Sequence, residues 1–284
     1  MSKNLTVAAV QSFDSLVKQA YQGQAVLRPS VRVKSGVVGK SHRFTVIGRG
    51  VASPRVPQTD VTPMNIGYTN ATAAIEDWNA PEYTDIFDQQ KVNFDERQQL
   101  AMVVAGAIGR REDQLIIDSW IAGTPAGTVA TSVGGADTNL NTAKMTKAKQ
   151  ILDQKNVPPT DRHFAAHSNN LFGLLGDEKA TNQDYNVIRA LVQGEINTWL
   201  GFTHVYIGDR DEGGFPIATN VRDGFAYHGG SMGSTGLAVG IDFRTEIHYI
   251  PEKTSWLVNG LYAGGAVVID GEGYAKVQMN ESAV

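Results

Sequence analysis

The stretch that decides the fold spans residues 39–63 and reads GKSHRFTVIGRGVASPRVPQTDVTP. Its first part alternates Phe44 and Val46 with other β-forming residues, which is the period-two pattern of a strand. The second part cannot form a full ladder of hydrogen bonds because it contains three prolines, Pro54, Pro57 and Pro63. With a second arm over residues 65–77, the pattern predicts a projecting β-hairpin. A two-stranded ribbon is marginally stable alone, so either the chain's own body or a neighbouring copy must support it.

A long helix is predicted directly after the hairpin, over residues 93–122. Asn93 is its predicted N-cap, with Glu96 as the capping-box partner three positions later. Apolar residues at spacings of three and four form one stripe, made of Leu100, Val104, Ala107, Ile108, Leu115 and Ile116. A helix of this length measures about 45 Å. Gly106 and Gly109 lie in its middle and are candidate bending points, with close packing as the alternative explanation.

The remaining chain mixes short helices and strands, which predicts an α+β fold. Helices are expected at residues 13–21, 142–155, 168–175 (with Ser168 as N-cap) and 187–192, and strands at 164–166, 241–250 and 256–269. A polar loop rich in glycine is expected at residues 208–215. An insertion near residues 156–254 would then divide a discontinuous domain.

Composition limits the chemistry that this chain can perform. It has 284 residues and a net charge of -4. It has no cysteine, which excludes disulfides, thiolate metal sites and cysteine catalysis. No run of about 20 apolar residues is present, so the sequence predicts a soluble, intracellular protein without a membrane partner. The first 50 residues carry a net charge of +7 and the rest therefore -11. A basic arm on an acidic body can bind a neighbouring copy electrostatically.

Four motifs resemble catalytic or ligand sites, and each departs from its pattern. Gly39-Lys-Ser lacks the earlier glycine of a phosphate loop, and His163 and His167 fall in a predicted strand, about 13 Å apart. The loop from Asp209 lacks the final glutamate of a calcium site. Ser231 fits Gly-x-Ser-x-Gly, but the following residues are poor helix formers, so a flexible loop is favoured over a nucleophile elbow. We therefore predict no enzyme, no cofactor and no metal.

The order of elements resembles the major capsid proteins of tailed bacteriophages, with the Hong Kong ninety-seven type of fold. The residues that carry the resemblance are Phe-x-Val-Ile-Gly-Arg at 44–49, Asp-Ile-Phe-Asp-x-x-x-x-Asn-Phe-Asp-Glu-Arg at 85–97, residues 194–207 and residues 261–270. The likeness is strongest with short-tailed phages, the podoviruses. It implies an N-terminal arm at 1–40, an extended loop at 41–80, a peripheral domain at 81–155 and 255–284, and an axial domain at 156–254.

The resemblance implies a structural protein that assembles into hexamers and pentamers of an icosahedral shell around double-stranded DNA. It also implies a procapsid that matures, a separate scaffolding protein because the chain begins directly on the arm, a portal, and decoration or cement proteins. Contact with the packaged DNA would be non-specific, and assembly would take place in the host bacterial cytoplasm. Some members of the family weld their shells through a loop lysine, but this chain has none between Ser41 and Gln90. Its shell would therefore be held without that bond.

Charged residues on the loop and beside the long helix are the predicted contacts between subunits: Arg43, Arg49, Arg55, Asp60, Asp85, Asp88, Asp95 and Glu96. Three alternatives stay open at this point. The first is a nanocompartment of the same fold that encloses an enzyme, and the second is a serine hydrolase that uses Ser231. The third is a minor tail or decoration protein.

Overall fold

The part of the chain that the structure describes contains both helices and strands, in agreement with the predicted α+β class. The structure is a computed structural model that describes residues 23–89, 91, 95–177 and 198–282. The helices are α1 Ile86–Gln89, α2 Glu96–Ala122, α3 Thr142–Gln154 and α4 Ser168–Leu175. The strands are β1 Arg32–Lys34, β2 Ser41–Ile47, β3 Tyr68–Ala74, β4 Glu76–Asp85, β5 Thr128–Val129, β6 Arg162–His167, β7 Thr198–Trp199, β8 Phe202–Ile207, β9 Ile217–Ala218, β10 Val221–His228, β11 Thr235–Ile250, β12 Ser255–Val268 and β13 Tyr274–Asn280.

A four-stranded sheet in the order β1-β11-β12-β4 supports the long helix α2. Its two central strands are long, with 16 residues in β11 and 14 in β12, and they pair antiparallel. The helix approaches β12 closely at Gly260, where an added Cβ would lie 2.4 Å from Val104. At the other end of the helix, Trp120 is buried and its indole N–H donates to the Thr235 hydroxyl at 2.7 Å.

A second sheet in the order β5-β13-β10-β6-β8-β7, with β9 paired to β10, separates two apolar clusters. On one face, Phe164 and Ala166 of β6 pack with the buried side chains of α3 and α4. On the other face, Ala165 joins a cluster that contains Ile116 and Trp120 of α2. The alternation along β6 explains this arrangement, because successive strand residues point to opposite faces. This sheet therefore lies between the long helix on one face and the helices α3 and α4 on the other.

The predicted hairpin is confirmed as the antiparallel pair β2 and β3, whose register runs from Ser41 opposite Ala74 to Ile47 opposite Tyr68. Phe44 and Ala73 are its buried residues, and they pack on Ala238 of β11. The Phe44 ring can lie there because β11 has Gly236, where an added Cβ would come within 2.7 Å of the ring. The pair of strands is therefore fastened at its base, and residues 48–67 beyond it are all exposed.

Several predicted boundaries are wrong by a few residues. The N-cap of α2 is Asp95, whose carboxylate accepts the Arg97 N–H at 3.2 Å, and not Asn93, which lies outside the described residues. The cap of α4 is His167, and Ser168 is the first helical residue. The strand predicted from residue 241 begins at Thr235, because it pairs with β12 through a glycine-rich stretch that sequence propensity disfavours.

The long helix, α3, the buried strand at 164–166 and the polar loop at 208–215 are confirmed. The helices predicted at 13–21 and 187–192 lie outside the described residues. β11, which falls in the predicted axial segment, pairs with β12 and so with strands of the predicted peripheral segment. The four-part domain division stays a prediction.

Candidate assembly surfaces

The projecting hairpin exposes apolar side chains that nothing in the described chain covers. Between β2 and β3, Val51 is 83% exposed and Val61 is 91% exposed, and Val56 and Met64 are also exposed. Apolar patches that project from a protein commonly mark an interaction site. Thr59 donates its hydroxyl to the Val56 carbonyl at 2.9 Å, which gives the tip a local turn. The hairpin thus has its own structure and a free apolar surface.

The predicted contact residues on the hairpin lie in three different settings. Arg43 is exposed on β2, and Arg55 and Asp60 line a concave part of the tip. Arg49, at the base, pairs with Glu272 of its own chain, and Lys155 donates to the same carboxylate at 3.0 Å. The hydrogen bond from Lys155, followed by the charge of Arg49, lowers the pKa of Glu272. A contact from Arg49 to another subunit stays a prediction, since its partner here is internal.

The acidic candidates begin the two helices that follow β4. Asp85 accepts the Phe87 N–H at 2.7 Å at the start of α1, and Asp95 caps α2. Asp88 pairs with Lys91 at 2.6 Å, and Glu96 is the first residue of α2. Negative side chains at a helix start interact favourably with its N-terminal N–H groups. These carboxylates therefore have a local role, and their contacts to other subunits stay predictions.

Charge separates the hairpin from the segment that follows it. Residues 39–75 contain four Lys or Arg and one Asp, a net charge of +3, whereas residues 76–96 contain seven Asp or Glu and one Lys, a net charge of -6. Within the described ranges no ion pair joins Arg43 or Arg55 to the acidic residues of this second segment. We call residues 76–96 the acidic segment. The two segments therefore carry opposite net charges, and their described residues form no ion pair with each other.

The two helical glycines do not interrupt α2, which is continuous from Glu96 to Ala122. At Gly109 an added Cβ would lie 3.1 Å from the Cβ of Ala25, so close packing against the N-terminal segment explains this glycine. A bending role for Gly106 and Gly109 stays a prediction.

A buried carboxylate holds that N-terminal segment on α2, and sequence reasoning did not find it. Asp113 has 0% exposure and accepts the N–H groups of Val26 and Leu27 at 3.0 and 2.9 Å. Arg210, from the loop after β8, donates to Asp113 at 2.7 Å and to the Gln24 carbonyl at 2.7 Å. The signal in the sequence is the pair Glu112-Asp113 inside an otherwise apolar stripe.

A second charged group lies next to Asp113. Arg28 binds Asp242 of β11 through two hydrogen bonds of 2.8 Å and lies 3.4 Å from Glu112. The hydrogen bond from Arg28 lowers the pKa of Asp242, while burial raises the pKa of Glu112. Together the two groups fix residues 24–28 between α2, β11 and the loop after β8. We call this arrangement the arm anchor.

Three of the motifs that resembled catalytic or ligand sites have the following positions in the fold. Ser231 lies in a turn between β10 and β11, so no helix follows it as a nucleophile elbow requires. His163 and His167 both lie on β6, and His163 stacks on Tyr227 with ring centroids 5.5 Å apart. A strand, not a helix, follows Gly39-Lys-Ser. Among the described residues, no three His, Asp or Glu side chains are grouped to hold a metal ion.

Among the described helices, none is both long and apolar enough to cross a bilayer.

Comparisons with known proteins agree with this architecture. A sequence model of the family described as phage capsid protein matches residues 5–281. Among solved structures, the capsid of the cyanophage P-SCSP1u is similar with a TM-score of 0.75 and 17% identity, over 98% of this chain and 94% of that one. The head of the Helicobacter pylori bacteriophage KHP40 has a TM-score of 0.78 and 11% identity, over 96% of both chains. Mycobacterium phage Che8 has a TM-score of 0.72 and 16% identity, over 97% of this chain and 98% of that one. No curated protein matches.

The hairpin, the long helix on its sheet and the second sheet together define the fold of a phage capsid subunit. The chain belongs to the phage capsid protein family. It is a structural protein of the virion, a major capsid shell protein of a bacteriophage.

Proposed function

We propose that this subunit forms the hexamers and pentamers of an icosahedral shell around double-stranded DNA, with its hairpin lying across the adjacent subunit. The observation that carries the proposal is the exposed apolar tip, where Val51 and Val61 are more than four-fifths exposed. Burial of an apolar side chain is worth about 1.5–3 kcal/mol, so a neighbouring surface that covers several of them stabilises a contact. In an isolated subunit these side chains stay in water, so their projection does not stabilise the fold.

Charge supports one surface of the neighbour as the place where the hairpin lies. The hairpin carries +3, and the acidic segment carries -6. Arg43 and Arg55 would approach this segment of the adjacent copy. Exposed ion pairs contribute only about 0–1 kcal/mol each, so charge would set the register while apolar burial supplies most of the affinity.

The remaining partners in this proposal follow from the family. They are a separate scaffolding protein, a portal and decoration or cement proteins, with non-specific contact to the packaged DNA. Assembly in the bacterial cytoplasm, maturation from a procapsid and a place among the podoviruses belong to the same proposal.

Deletion of residues 53–63 tests the role of the hairpin. The deleted subunit should fold, because β2 and β3 keep their register and their contacts with Ala238, but it should not complete closed shells. Circular dichroism of the subunit and electron microscopy after expression with the scaffold measure the two properties. As a matched control, Ile217→Ser removes an exposed apolar side chain outside the hairpin and should leave shells intact. Normal shells from the deleted subunit would contradict the proposal.

A further inference from the structure

The outer edge of β11 is open over the second half of the strand. β1 pairs with β11 only from Gly236 to Ala238, and the Val37 N–H then donates to the Val239 carbonyl at 3.0 Å. From residue 241 to residue 250 no described strand lies along this edge, whereas β12 pairs with the other edge of β11 as far as Ile250. Backbone N–H and C=O groups at an open edge can pair with a further strand. The second half of β11 is therefore a candidate for strand addition.

Two irregularities bound a regular stretch of seven residues on this edge. The register with β12 shifts between Ile241 and Arg244, which marks a bulge, and Pro251 follows the end of the strand. Between them, residues 244–250 read RTEIHYI and pair without interruption with residues 255–261 of β12. Natural edge strands are commonly protected by lysine, proline or a bulge, and none of these lies inside the stretch. We call residues 244–250 the open run.

One face of the open run is apolar and exposed. Ile247 lies opposite Val258, which is two residues from Gly260 and so shares the face on which Val104 of α2 packs. Tyr249, two residues after Ile247, lies on the same face. Ile247 is nevertheless 43% exposed and Tyr249 is 42% exposed. Residues that point toward the helix side of the sheet are therefore left in contact with water.

The opposite face of the open run carries a row of charged and polar side chains. Glu246 lies 3.2 Å from Arg244 on one side and 3.2 Å from His248 on the other. Arg244 and His248 are exposed. A carboxylate thus lies between two nitrogen-bearing side chains along one row of the strand.

The long helix leaves room for a strand at this edge. Val104 of α2 packs on Gly260 of β12, and the Arg111 guanidinium lies 3.8 Å from the centre of the Trp78 ring of β4. The helix therefore covers the two strands that follow β11 in the sheet, away from the open edge. Neighbouring strands lie about 4.8 Å apart, so an added strand would meet the exposed side chains of the open run and not the helix.

The open run is complementary to itself in one antiparallel register. With Ile247 opposite Ile247 of a second copy, Glu246 lies opposite His248 and Thr245 lies opposite Tyr249, in both directions. Moving the centre by one residue would place either Glu246 or His248 opposite the same residue of the other copy, and like charges directly opposite are destabilising. Moving it by two residues would leave only about three regular pairs before the bulge or Pro251 ends the ladder. The sequence therefore favours the register centred on Ile247.

We propose that the open run pairs antiparallel with the open run of a second copy, about a two-fold axis through Ile247. The same patch would meet itself, as in other two-fold interfaces, and the two sheets would become continuous with both long helices on one face. The exposed Ile247 and Tyr249 side chains of the two copies would then cover one another. The acidic segment includes β4, at the other edge of the sheet, so this contact does not rest on the place proposed for the hairpin.

Single cysteines test this register, because the chain has no native cysteine. Directly opposite side chains have Cβ atoms about 4.5–5.5 Å apart, so Ile247→Cys in the full chain should form a disulfide-linked dimer under mild oxidation. Thr245→Cys and Tyr249→Cys are matched controls on the same face of the strand. Each would lie about 14 Å from the same residue of the other copy and should form dimers several-fold more slowly. Non-reducing gels of the purified protein measure the dimer.

The variant that combines Thr245→Cys with Tyr249→Cys gives an independent measurement. These two positions lie opposite each other between copies, so the double variant should form dimers at a rate close to that of Ile247→Cys. Within one chain they are about 14 Å apart along the strand and do not form a disulfide. If Ile247→Cys prevents folding, as circular dichroism would show, the double variant and its two single controls give the same comparison.

Each other result would overturn the proposal. Equal rates for the three single variants would show that no fixed register exists. Faster dimer formation by Thr245→Cys or Tyr249→Cys than by Ile247→Cys would show a different register. Folded Ile247→Cys and double variants that give no dimer would show that the open run does not bind a second copy.

Discussion

Asp113 shows how a single buried carboxylate contributes to the stability of this subunit. Its carboxylate has 0% exposure and lies between two backbone N–H groups and the guanidinium of Arg210, whose side chain is 3% exposed. Burying two charges is costly, and only good geometry with full hydrogen bonding offsets the loss of hydration. Asp113 meets this condition because three donors reach its two oxygens.

Replacing Asp113 with alanine should therefore destabilise the subunit strongly. Arg210 would keep its buried position without its carboxylate, and the free energy of unfolding should fall by about 3–5 kcal/mol. Urea denaturation of the unassembled subunit measures this. Arg244→Ala, which removes an exposed ion pair with Glu246, is the control and should cost less than about 1 kcal/mol. Equal losses in the two variants would show that the arm anchor contributes no more than a surface pair.

At the scale of elements, the packing of α2 on its sheet depends on one small residue. Gly260 lets Val104 and Ile108 approach β12, and an added Cβ would lie 2.4 Å from Val104 and 3.3 Å from Ile108. The helical period of the sequence predicted the apolar stripe of α2. No pattern in the sequence marked Gly260 as the strand residue against which that stripe packs. A glycine in a strand can indicate a bulge, a bend or a close approach.

Gly260→Ala should destabilise the subunit through crowding between α2 and β12. Overpacking of a core costs about 1–3 kcal/mol, and Val104→Ala in the same chain should restore part of that loss. Denaturation of the two single variants and the double variant gives the coupling between the sites. Gly67→Ala is the control, since no atom lies within 4 Å of the added Cβ. Additive effects at Gly260 and Val104 would contradict the close contact.

At the scale of the whole molecule, the basic hairpin and the acidic segment follow one another in sequence, but their described residues form no ion pair with each other. This separation leaves +3 on one surface and -6 on another, which favours association between copies in one orientation. In the proposed shell each such contact is weak, but every subunit repeats it.

Salt should therefore slow the early steps of assembly. Raising the salt concentration from about 0.1 to about 1 M shortens the screening length from about 10 Å to about 3 Å. Light scattering should show slower assembly at high salt, and Arg55→Gln should reduce the dependence on salt. Ser53→Ala, a neutral change in the same tip, is the control. Assembly rates that do not change with salt would show that electrostatic attraction does not govern the first contacts between copies.

The sequence by itself determined the hairpin, the long helix and the α+β class. Local patterns are sufficient there, because alternation along β2 and the apolar stripe of α2 involve residues close together in the chain. It also carried the resemblance to phage capsid proteins, which the family match confirms. The cap of α2 was misplaced by two residues, since Asn93 and Asp95 have similar capping propensities and only the backbone conformation selects one.

Only the tertiary structure decided the arm anchor and the close approach at Gly260. Asp113 lies 97 positions before Arg210 in the chain, and no local pattern relates two residues so distant. The exposure of Phe243, Ile247 and Tyr249 likewise depends on where α2 crosses the sheet, which is set by packing among several elements. Long-range contacts of this kind follow from the fold as a whole, whereas strand and helix periods follow from neighbouring residues alone.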